Sequence, residues 1–273
     1  MPRKLAGTVL EGIVGARMHE ITGARQKYPA AAMEAVLDRA PEIRSFRRAL
    51  ELRDGAVIAE LKKASPSAGV LRSDFRPVEI ALELEKAGAA ALSVVTEPRY
   101  FQGGLETLAA VRWRAGLPLL RKDFIVDPYQ VLEARHAGAD AVLLIAALLE
   151  GPLLGALRAE VERLGMDALI EVHDEEELER ALQAGATLIG VNSRDLRTFH
   201  VSIESSLELA RRLPKGIVAV AESGLRSADD VRRLRDAGYR AFLIGEQLMR
   251  APSPGAALAR LVPRAVSGPR RIS

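Results

Sequence analysis

The chain has 273 residues, of which 39 are basic and 36 acidic, and 48% are hydrophobic. This length fits one domain with a short extension better than two domains. The absence of cysteine excludes disulfides and thiolate chemistry. No apolar run is long enough for a signal peptide or a membrane span, so we expect a cytoplasmic protein with no membrane partner.

Two residue types are scarce in ways that bear on function. The four histidines, His19, His136, His173 and His200, never show the i, i+4 spacing of a helical metal site, so we expect no metal. Asn192 is the only asparagine. Few Asn and Cys residues beside many Arg, Glu and Ala suggest a thermophilic source as a hypothesis. The basic and acidic residues are finely interleaved, which is typical of a solvated surface rather than of a nucleic-acid-binding face.

Residues 1–48 lack strand signals and are predicted to form helices before the first strand. After them, short runs rich in Val, Ile, Leu and Ala alternate with amphipathic helical patterns. The predicted strands are 56–61, 91–95, 117–120, 141–145, 167–171, 188–191, 217–221 and 241–244. The clearest predicted helices are 78–87, 129–137, 175–184 and 228–237, and each is closed by an Ala-Gly pair typical of a helix C-cap.

This alternation predicts an α/β protein with a parallel sheet, and about eight strands is the number of a (β/α)8 TIM barrel. An open doubly wound sheet would have fewer strands and would usually carry a Gly-rich nucleotide loop after its first strand. Here the first strand is followed by KKASPSAG (62–69). We expect one domain with the barrel at 49–251, and we expect 252–273 to be a helix end and a fraying tail.

Polar residues and glycine follow six of the predicted strands. In a parallel barrel the active site forms where the strands end, so these residues are candidate site residues. They are Glu60 and Lys62, Lys122, Glu171, Asn192 and Arg194, Glu222 and Ser223, and Gly245. Glu60 and Lys62 are two apart and therefore face the same side of a strand. Lys122 and Glu171 end apolar runs, where burial can tune an acid and a base.

The last two strands also carry a phosphate signature. Ser223-Gly224 and Gly245 each place a glycine ahead of a predicted helix, and backbone amides at such positions bind phosphate in many barrels. Ser65 in the first loop is a further candidate donor to the same anion.

Several strings in the chain carry a family resemblance. They are IAELKKASPSAG (58–69), LSVVTEPRYFQGG (92–104), PLLRKDFIVDPYQVLEARHAGADAVLLI (118–145), LIEVHDEEELERALQAGATLIGVNSRDLRTF (169–199), VAESGL (220–225) and FLIGEQLM (242–249). Together they resemble indole-3-glycerol phosphate synthase through nearly the whole barrel. The resemblance implies that residues 1–48 lie over the barrel mouth.

The resemblance also implies a reaction in tryptophan biosynthesis. It converts 1-(2-carboxyphenylamino)-1-deoxy-D-ribulose 5-phosphate into indole-3-glycerol phosphate with loss of carbon dioxide and water, which makes the chain a carboxy-lyase. No cofactor is expected, because attack by the aromatic carbon turns the anilino nitrogen into a cationic electron sink for the leaving carboxylate. The expected partner is this small molecule, and the sequence carries no signal for association with other tryptophan-pathway enzymes.

The family's residue roles transfer onto matching positions of this chain. Lys122 matches the general acid of ring closure and Glu171 the general base of dehydration. Glu60 and Lys62 match a charged pair, with Lys62 placed to meet the substrate carboxylate and to act as a second acid. The positions matched to substrate orientation are Asn192, Ser223, Arg194 and Glu222; those matched to phosphate are Ser65, Gly224 and Gly245; those matched to the apolar wall for the anthranilate ring are Phe101, Phe124 and Leu143.

The chain departs from the family pattern at Ser193, Asp195 and Ala68, where Asn, Asn and Lys are frequent, and we expect these changes to affect loop packing. Two other barrel enzymes stay open as alternatives. One is a phosphosugar aldolase in which Lys122 forms a Schiff base, and the other is phosphoribosylanthranilate isomerase, which the motif set disfavours. A non-catalytic binding protein is disfavoured by the presence of both Lys122 and Glu171.

Overall fold

The computed structural model describes residues 8–194 and 201–262. Eight parallel strands close into a barrel in which each strand pairs with its neighbours in chain order and the last pairs with the first. We label them β1 to β8. Their bounds are Ala56–Leu61, Ala91–Val95, Leu119–Lys122, Ala141–Ile145, Asp167–Val172, Leu188–Asn192, Val218–Glu222 and Ala241–Ile244. The predicted (β/α)8 TIM barrel is confirmed.

Twelve α-helices are found in the described part of the chain, and we label them α1 to α12. Their bounds are Val9–Lys27, Ala30–Glu34, Phe46–Glu51, Pro77–Ala87, Leu105–Arg112, Pro128–Ala137, Pro152–Arg163, Glu175–Gln183, Ile203–Ala210, Ala228–Asp236, Glu246–Arg250 and Pro254–Leu261. A two-stranded hairpin, Ala64–Ser65 with Gly69–Val70, follows β1. Within residues 8–194 and 201–262, no helix has the length and apolar character needed to cross a membrane.

The barrel strands lie close to their predicted positions, and four have the predicted bounds. The largest difference is β3, which was predicted at 117–120 and is observed at Leu119–Lys122. The apolar run misled the prediction because β3 continues through Arg121, whose guanidinium is fully buried. That charge is accommodated by Asp123, at 3.0 Å, and by the carbonyl of Gln130, at 2.6 Å.

Helix α1 packs its apolar side against the carboxyl ends of the strands. Leu10, Ile13 and Val14 are buried at helical spacing and belong to the main hydrophobic core. One turn further along, buried Arg17 donates to the Asp123 carboxylate at 2.8 Å. The helix is therefore fixed by an ion pair to the residue that follows β3.

Residues 254–261 belong to the stretch that we expect from the sequence to be a helix end and a fraying tail. These residues form α12, which packs on α4 and buries Pro254, Ala257 and Leu258. The helix is capped by Ser253, whose hydroxyl accepts from the Ala256 amide. The Glu83 carboxylate on α4 accepts from the Ser253 hydroxyl, so the start of α12 is tied to the barrel.

We predict that Arg17→Met lowers the free energy of unfolding in urea by about 2–4 kcal/mol, because it leaves buried Asp123 with fewer cationic partners. The methionine keeps most of the apolar stem volume, so the loss reports the charge. Met18→Ala is the matched control, since the Met18 side chain on the same helix is 48% exposed. If both variants lose the same free energy of unfolding, the result would contradict a buried ion pair that holds α1 on the barrel.

Candidate active site

A cavity of about 280 Å³ opens at the carboxyl ends of the barrel strands. Every site residue predicted from the sequence lines it. These are Glu60, Lys62, Ser65, Phe101, Lys122, Phe124, Leu143, Glu171, Asn192, Arg194, Glu222, Ser223, Gly224 and Gly245. The structure therefore brings together residues that are spread over more than 180 positions of the sequence.

Lys122 is the centre of the charged part of the cavity. Its Nζ lies 2.8 Å from Glu171 Oε2 and 3.5 Å from Glu222 Oε2. The end of β3 brings the amine to this position, and the strand register places Lys122 beside Val95 of β2. The amine thus faces carboxylates from β5 and β7 across the barrel mouth.

The surroundings place Lys122 and Glu171 in opposite protonation states. Burial opposes the charge on Lys122, but the acidic neighbours, with the Glu171 carboxylate first and the carboxyl groups of Glu222 and Glu60 after it, outweigh burial and raise the lysine pKa. Burial likewise opposes ionisation of Glu171, but the Lys122 ammonium and His173 outweigh it and hold the pKa of that carboxyl well below its usual value. The site therefore holds a protonated acid 2.8 Å from an ionised base.

Glu60 and Lys62 form a second ion pair at the end of β1. Lys62 Nζ donates to Glu60 Oε1 at 2.6 Å, so the predicted pairing on one side of the strand is confirmed. The Glu60 carboxyl is buried, which opposes its ionisation, but Lys62 and Lys122 outweigh this and lower its pKa. The ammonium group of Lys62 lines the cavity and can reach an anionic substrate group.

Glu222 differs from the other two carboxyl groups. It is almost completely buried, and its Oε1 has no hydrogen-bond partner among the described residues. Burial raises its pKa to about 8, and Lys122 only partly opposes this because Glu171 and Glu60 add repulsion. At neutral pH Glu222 is therefore mostly a neutral carboxylic acid, which can donate as well as accept a hydrogen bond.

Two glycines make room for these carboxyl groups. A Cβ atom on Gly190 of β6 would lie 2.1 Å from Glu222 Oε1, and one on Gly245 would lie 2.6 Å from Glu60 Oε1. Gly245 was predicted from the sequence as a phosphate position. The geometry adds a second requirement, because any side chain at Gly245 would displace a carboxylate of the charged cluster.

Ser223 and Gly224 leave β7 with backbone torsions in the left-handed region, at φ values of 63° and 75°. Such a conformation strains serine, and non-glycine residues adopt it mainly where function or packing requires it. Gly245 directly precedes α11, and Ser65 lies in the hairpin after β1. These backbone segments converge on one side of the cavity mouth, which is the arrangement expected for binding an anion.

An apolar wall faces the charged cluster. Phe101 and Phe124 contact each other with ring centroids 6.0 Å apart, and Leu143 lies in the barrel core behind them. Val9, Leu10 and Ile13 of α1 add apolar surface that the site prediction did not include. The apolar residues of α1 at helical spacing indicate a buried helix face, but they do not show which surface that face covers.

Glu97 is a residue in the loop after β2 that sequence reasoning missed. It is fully buried, and its carboxylate accepts from the backbone amides of Tyr100 at 2.6 Å, Phe101 at 2.9 Å and Arg99 at 3.0 Å. A carboxylate that accepts hydrogen bonds from several backbone amides fixes the loop conformation. Glu97 therefore determines where Phe101 stands in the apolar wall.

Asp195 and His200 lie outside the described residues. Among residues 8–194 and 201–262, no group of three or more His, Asp or Glu side chains could hold a metal ion. The charged residues of the cavity instead neutralise one another in ion pairs. Arg194, beside Asn192, lies 3.9 Å from the Glu246 carboxylate at the rim.

Comparison with known proteins finds relatives along most of the chain. The family model described as indole-3-glycerol phosphate synthase matches residues 10–261. Proteins with that name are 55% identical to this chain in Koribacter versatilis, 52% in Carboxydothermus hydrogenoformans and 49% in Chromobacterium violaceum. The alignment covers 80% of this chain and 85% of the Koribacter protein, and 91% and 97% for the Carboxydothermus protein. For the Chromobacterium protein it covers 93% of this chain and 97% of that protein.

Solved structures with this fold include more distant proteins. Thiamine phosphate pyrophosphorylase from Pyrococcus furiosus has a TM-score of 0.55 at 18% identity, over 76% of this chain and 93% of that one. N-acetylmannosamine-6-phosphate 2-epimerase from Clostridium perfringens has a TM-score of 0.58 at 16% identity, over 72% and 88%. At these identities the likeness shows the barrel fold alone.

The protonated state of Glu222 predicts how stability depends on pH. Its folded pKa of about 8 lies above the unfolded value of about 4.3, so the folded protein keeps a proton that the unfolded chain releases between these values. The stabilisation is complete below the unfolded pKa and is lost as the pH rises through the folded pKa.

Glu222→Gln cannot ionise at this position. We therefore expect the Tm difference, Glu222→Gln minus wild type, to increase from pH 5 to pH 8. The control is Glu179→Gln on exposed surface, and the same Tm gain in both variants would contradict a protonated Glu222.

Proposed function

Because this chain belongs to the indole-3-glycerol phosphate synthase family, we propose that the charged cluster at its barrel mouth carries out the chemistry of that family. The chain is a carboxy-lyase of tryptophan biosynthesis. It converts 1-(2-carboxyphenylamino)-1-deoxy-D-ribulose 5-phosphate into indole-3-glycerol phosphate, carbon dioxide and water. The observation that carries the assignment of roles is the contact of a protonated Lys122 with an ionised Glu171 at 2.8 Å inside a buried cavity.

Ring closure needs a proton donor at the sugar carbonyl. The aromatic carbon that bears the carboxylate attacks the carbonyl carbon, and negative charge develops on the carbonyl oxygen. Lys122 supplies both a positive charge and a proton to that oxygen. Its carboxylate neighbours keep it in the ammonium form, so the donor is in place before the substrate arrives, as electrostatic preorganisation requires.

Decarboxylation follows from the charge that ring closure creates. Attack by the ring carbon leaves the anilino nitrogen cationic, and the electron pair of the breaking carbon–carboxylate bond restores the neutral nitrogen and the ring. We assign Lys62 to the substrate carboxylate, since its ammonium group lines the cavity. Glu60 holds Lys62 in position through their 2.6 Å ion pair. The apolar wall of Phe101, Phe124 and Leu143 takes the anthranilate ring.

Dehydration needs a base, and we assign this step to Glu171. It removes a proton from the closed ring while the former carbonyl oxygen leaves as water, with Lys122 or Lys62 as the acid. Asn192 donates to Glu171 Oε1 at 3.1 Å and so orients the carboxylate. We assign Ser223, Arg194 and the neutral acid Glu222 to orientation of the sugar hydroxyls.

The substrate phosphate is assigned to the backbone around Ser65, Gly224 and Gly245, opposite the apolar wall. We also propose that the protein works in the cytoplasm, because the charged phosphate and carboxylate of its substrate oppose passage across a bilayer. The interleaved surface charge supports a small molecule rather than a nucleic acid as the partner.

We predict that Lys122→Ala and Lys122→Met each lower kcat by at least about 10³-fold, since a positioned acid and a charged donor act mainly on the transition state. Substrate Kd changes little, because the phosphate and ring contacts remain. The assay follows the gain of indole fluorescence from the carboxyphenylamino-deoxyribulose phosphate with EDTA present. We expect the wild-type protein to turn over under these conditions, because the roles above need no metal.

The control for this prediction is Lys63→Met, which changes the neighbouring lysine that does not line the cavity. The unfolding midpoint of every variant is measured, so that lost activity is not misread as lost folding. Near-wild-type turnover by either Lys122 variant would remove Lys122 from the role of general acid. Trapping of the substrate on wild-type Lys122 by borohydride would instead support the aldolase alternative.

A further inference from the structure

Glu171 contacts a third side chain that the reaction above does not use. His173 follows two residues after Glu171, at the end of β5, and its Nε2 lies 3.3 Å from Glu171 Oε1. The ring is largely buried, with 12% of the side chain exposed. The Nε2–H is not aligned for a hydrogen bond, so in this arrangement the contact is an ion pair with the carboxylate.

The other side of the imidazole ring is held by helix α8. Glu177 Oε2 lies 2.9 Å from His173 Nδ1 and also accepts from the His173 backbone amide at 2.9 Å. Glu177 is itself buried, and its backbone amide is fixed by the Asp174 side chain at 2.8 Å. The ring therefore stands between two buried carboxylates and has its orientation fixed from the helix side.

This arrangement favours the doubly protonated imidazolium, because each ring nitrogen faces a carboxylate and only the cation carries a proton on both nitrogens. Burial opposes the charge, but Glu171 and Glu177 outweigh it and raise the pKa of His173 to about 10. His173 therefore carries a positive charge at neutral pH, which makes it the second cation beside Glu171 after Lys122.

A second cation matters at one stage of the reaction. When the substrate carbonyl oxygen takes the hydrogen bond of Lys122, Glu171 loses its contact at 2.8 Å. The groups that then face Glu171 are neutral Asn192 on β6, the carboxyl groups of Glu222 on β7 and Glu60 on β1, and His173. An unpaired buried carboxylate would take up a proton, and a protonated Glu171 is no base.

We propose that His173 is a positioning residue for Glu171, and that its imidazolium, held by Glu177, keeps the carboxylate oriented and ionised while Lys122 is engaged with the substrate. This inference rests on the role of base proposed above for Glu171. It assigns a function to the Glu171–His173–Glu177 chain, which links the barrel mouth to the first turn of α8.

The first test is the pH profile of turnover. His173→Gln keeps a polar side chain of similar reach but removes the charge. The midpoint of the acidic limb in the pH profile of kcat should therefore move to higher pH by about one unit or more, with KM little changed. Glu177→Gln leaves the histidine and its charge at acidic pH in place, so it should move the limb much less than His173→Gln. His136→Gln, an exposed histidine outside the cavity, should leave the limb unchanged. A merely structural role would lower the amount of active enzyme at every pH without moving the limb.

The second test needs no turnover. In ¹⁵N NMR of the wild-type protein, the ring of His173, assigned by its loss in His173→Gln, should stay doubly protonated above pH 8. Glu171→Gln and Glu177→Gln should each lower the pKa of His173. A His173 ring that loses its second proton below pH 8, or an acidic limb that does not move in His173→Gln, would overturn the proposal.

The activities of two variants separate the role of Glu171 from that of His173. If Glu171→Gln turns over like the wild type, the role of base proposed for Glu171 is wrong. If Glu171→Gln is inactive but His173→Gln keeps the wild-type pH profile, only the positioning role of His173 is wrong.

Discussion

The buried ammonium group of Lys122 is the interaction on which the rest of the site depends. A cation removed from water must be compensated nearby, and the Glu171 carboxylate lies 2.8 Å from the ammonium group, with the Glu222 carboxyl group at 3.5 Å. A second pair, Glu60 with Lys62, stands at the end of β1. With Glu222 neutral, two ammonium groups face two carboxylates. The site is electrically balanced before substrate binds, and this balance sets the acid and base in the states that the reaction needs.

The barrel provides the geometry that this balance requires. Parallel strands that close on one another bring residues from β1, β3, β5, β6 and β7 to one mouth, and glycines at 190 and 245 leave space for the carboxyl groups of Glu222 and Glu60. Next to Lys122 in the chain, buried Asp123 binds Arg17 and Arg121 and so fixes both α1 and the end of β3. The element that covers the cavity and the strand that carries Lys122 therefore share one anchor.

Much of this arrangement could be predicted from the sequence. The apolar runs located the barrel strands, and the polar residues after them located the site, because strand ends meet at one face of a barrel. The protonated state of Glu222 could not be predicted, since it results from burial and from three charged neighbours on other strands. His173 was noted only as a poor metal ligand, because its partner Glu177 lies on a helix whose orientation sequence does not give. The sequence predicts a helix end after Pro252, but it does not show that α12 packs on α4, because that packing is a tertiary contact.

The most direct test of charge balance is a double-mutant cycle on the free energy of unfolding with Lys122→Met, Glu171→Gln and the double variant. Each single change leaves a buried charge without its partner, at a cost of about 3–5 kcal/mol. Removing both charges together avoids that cost, so we predict that the double variant loses less stability than the sum of the single losses, by about 1–3 kcal/mol. Losses that add to within about 0.5 kcal/mol would contradict the account, because the two residues would then not be coupled.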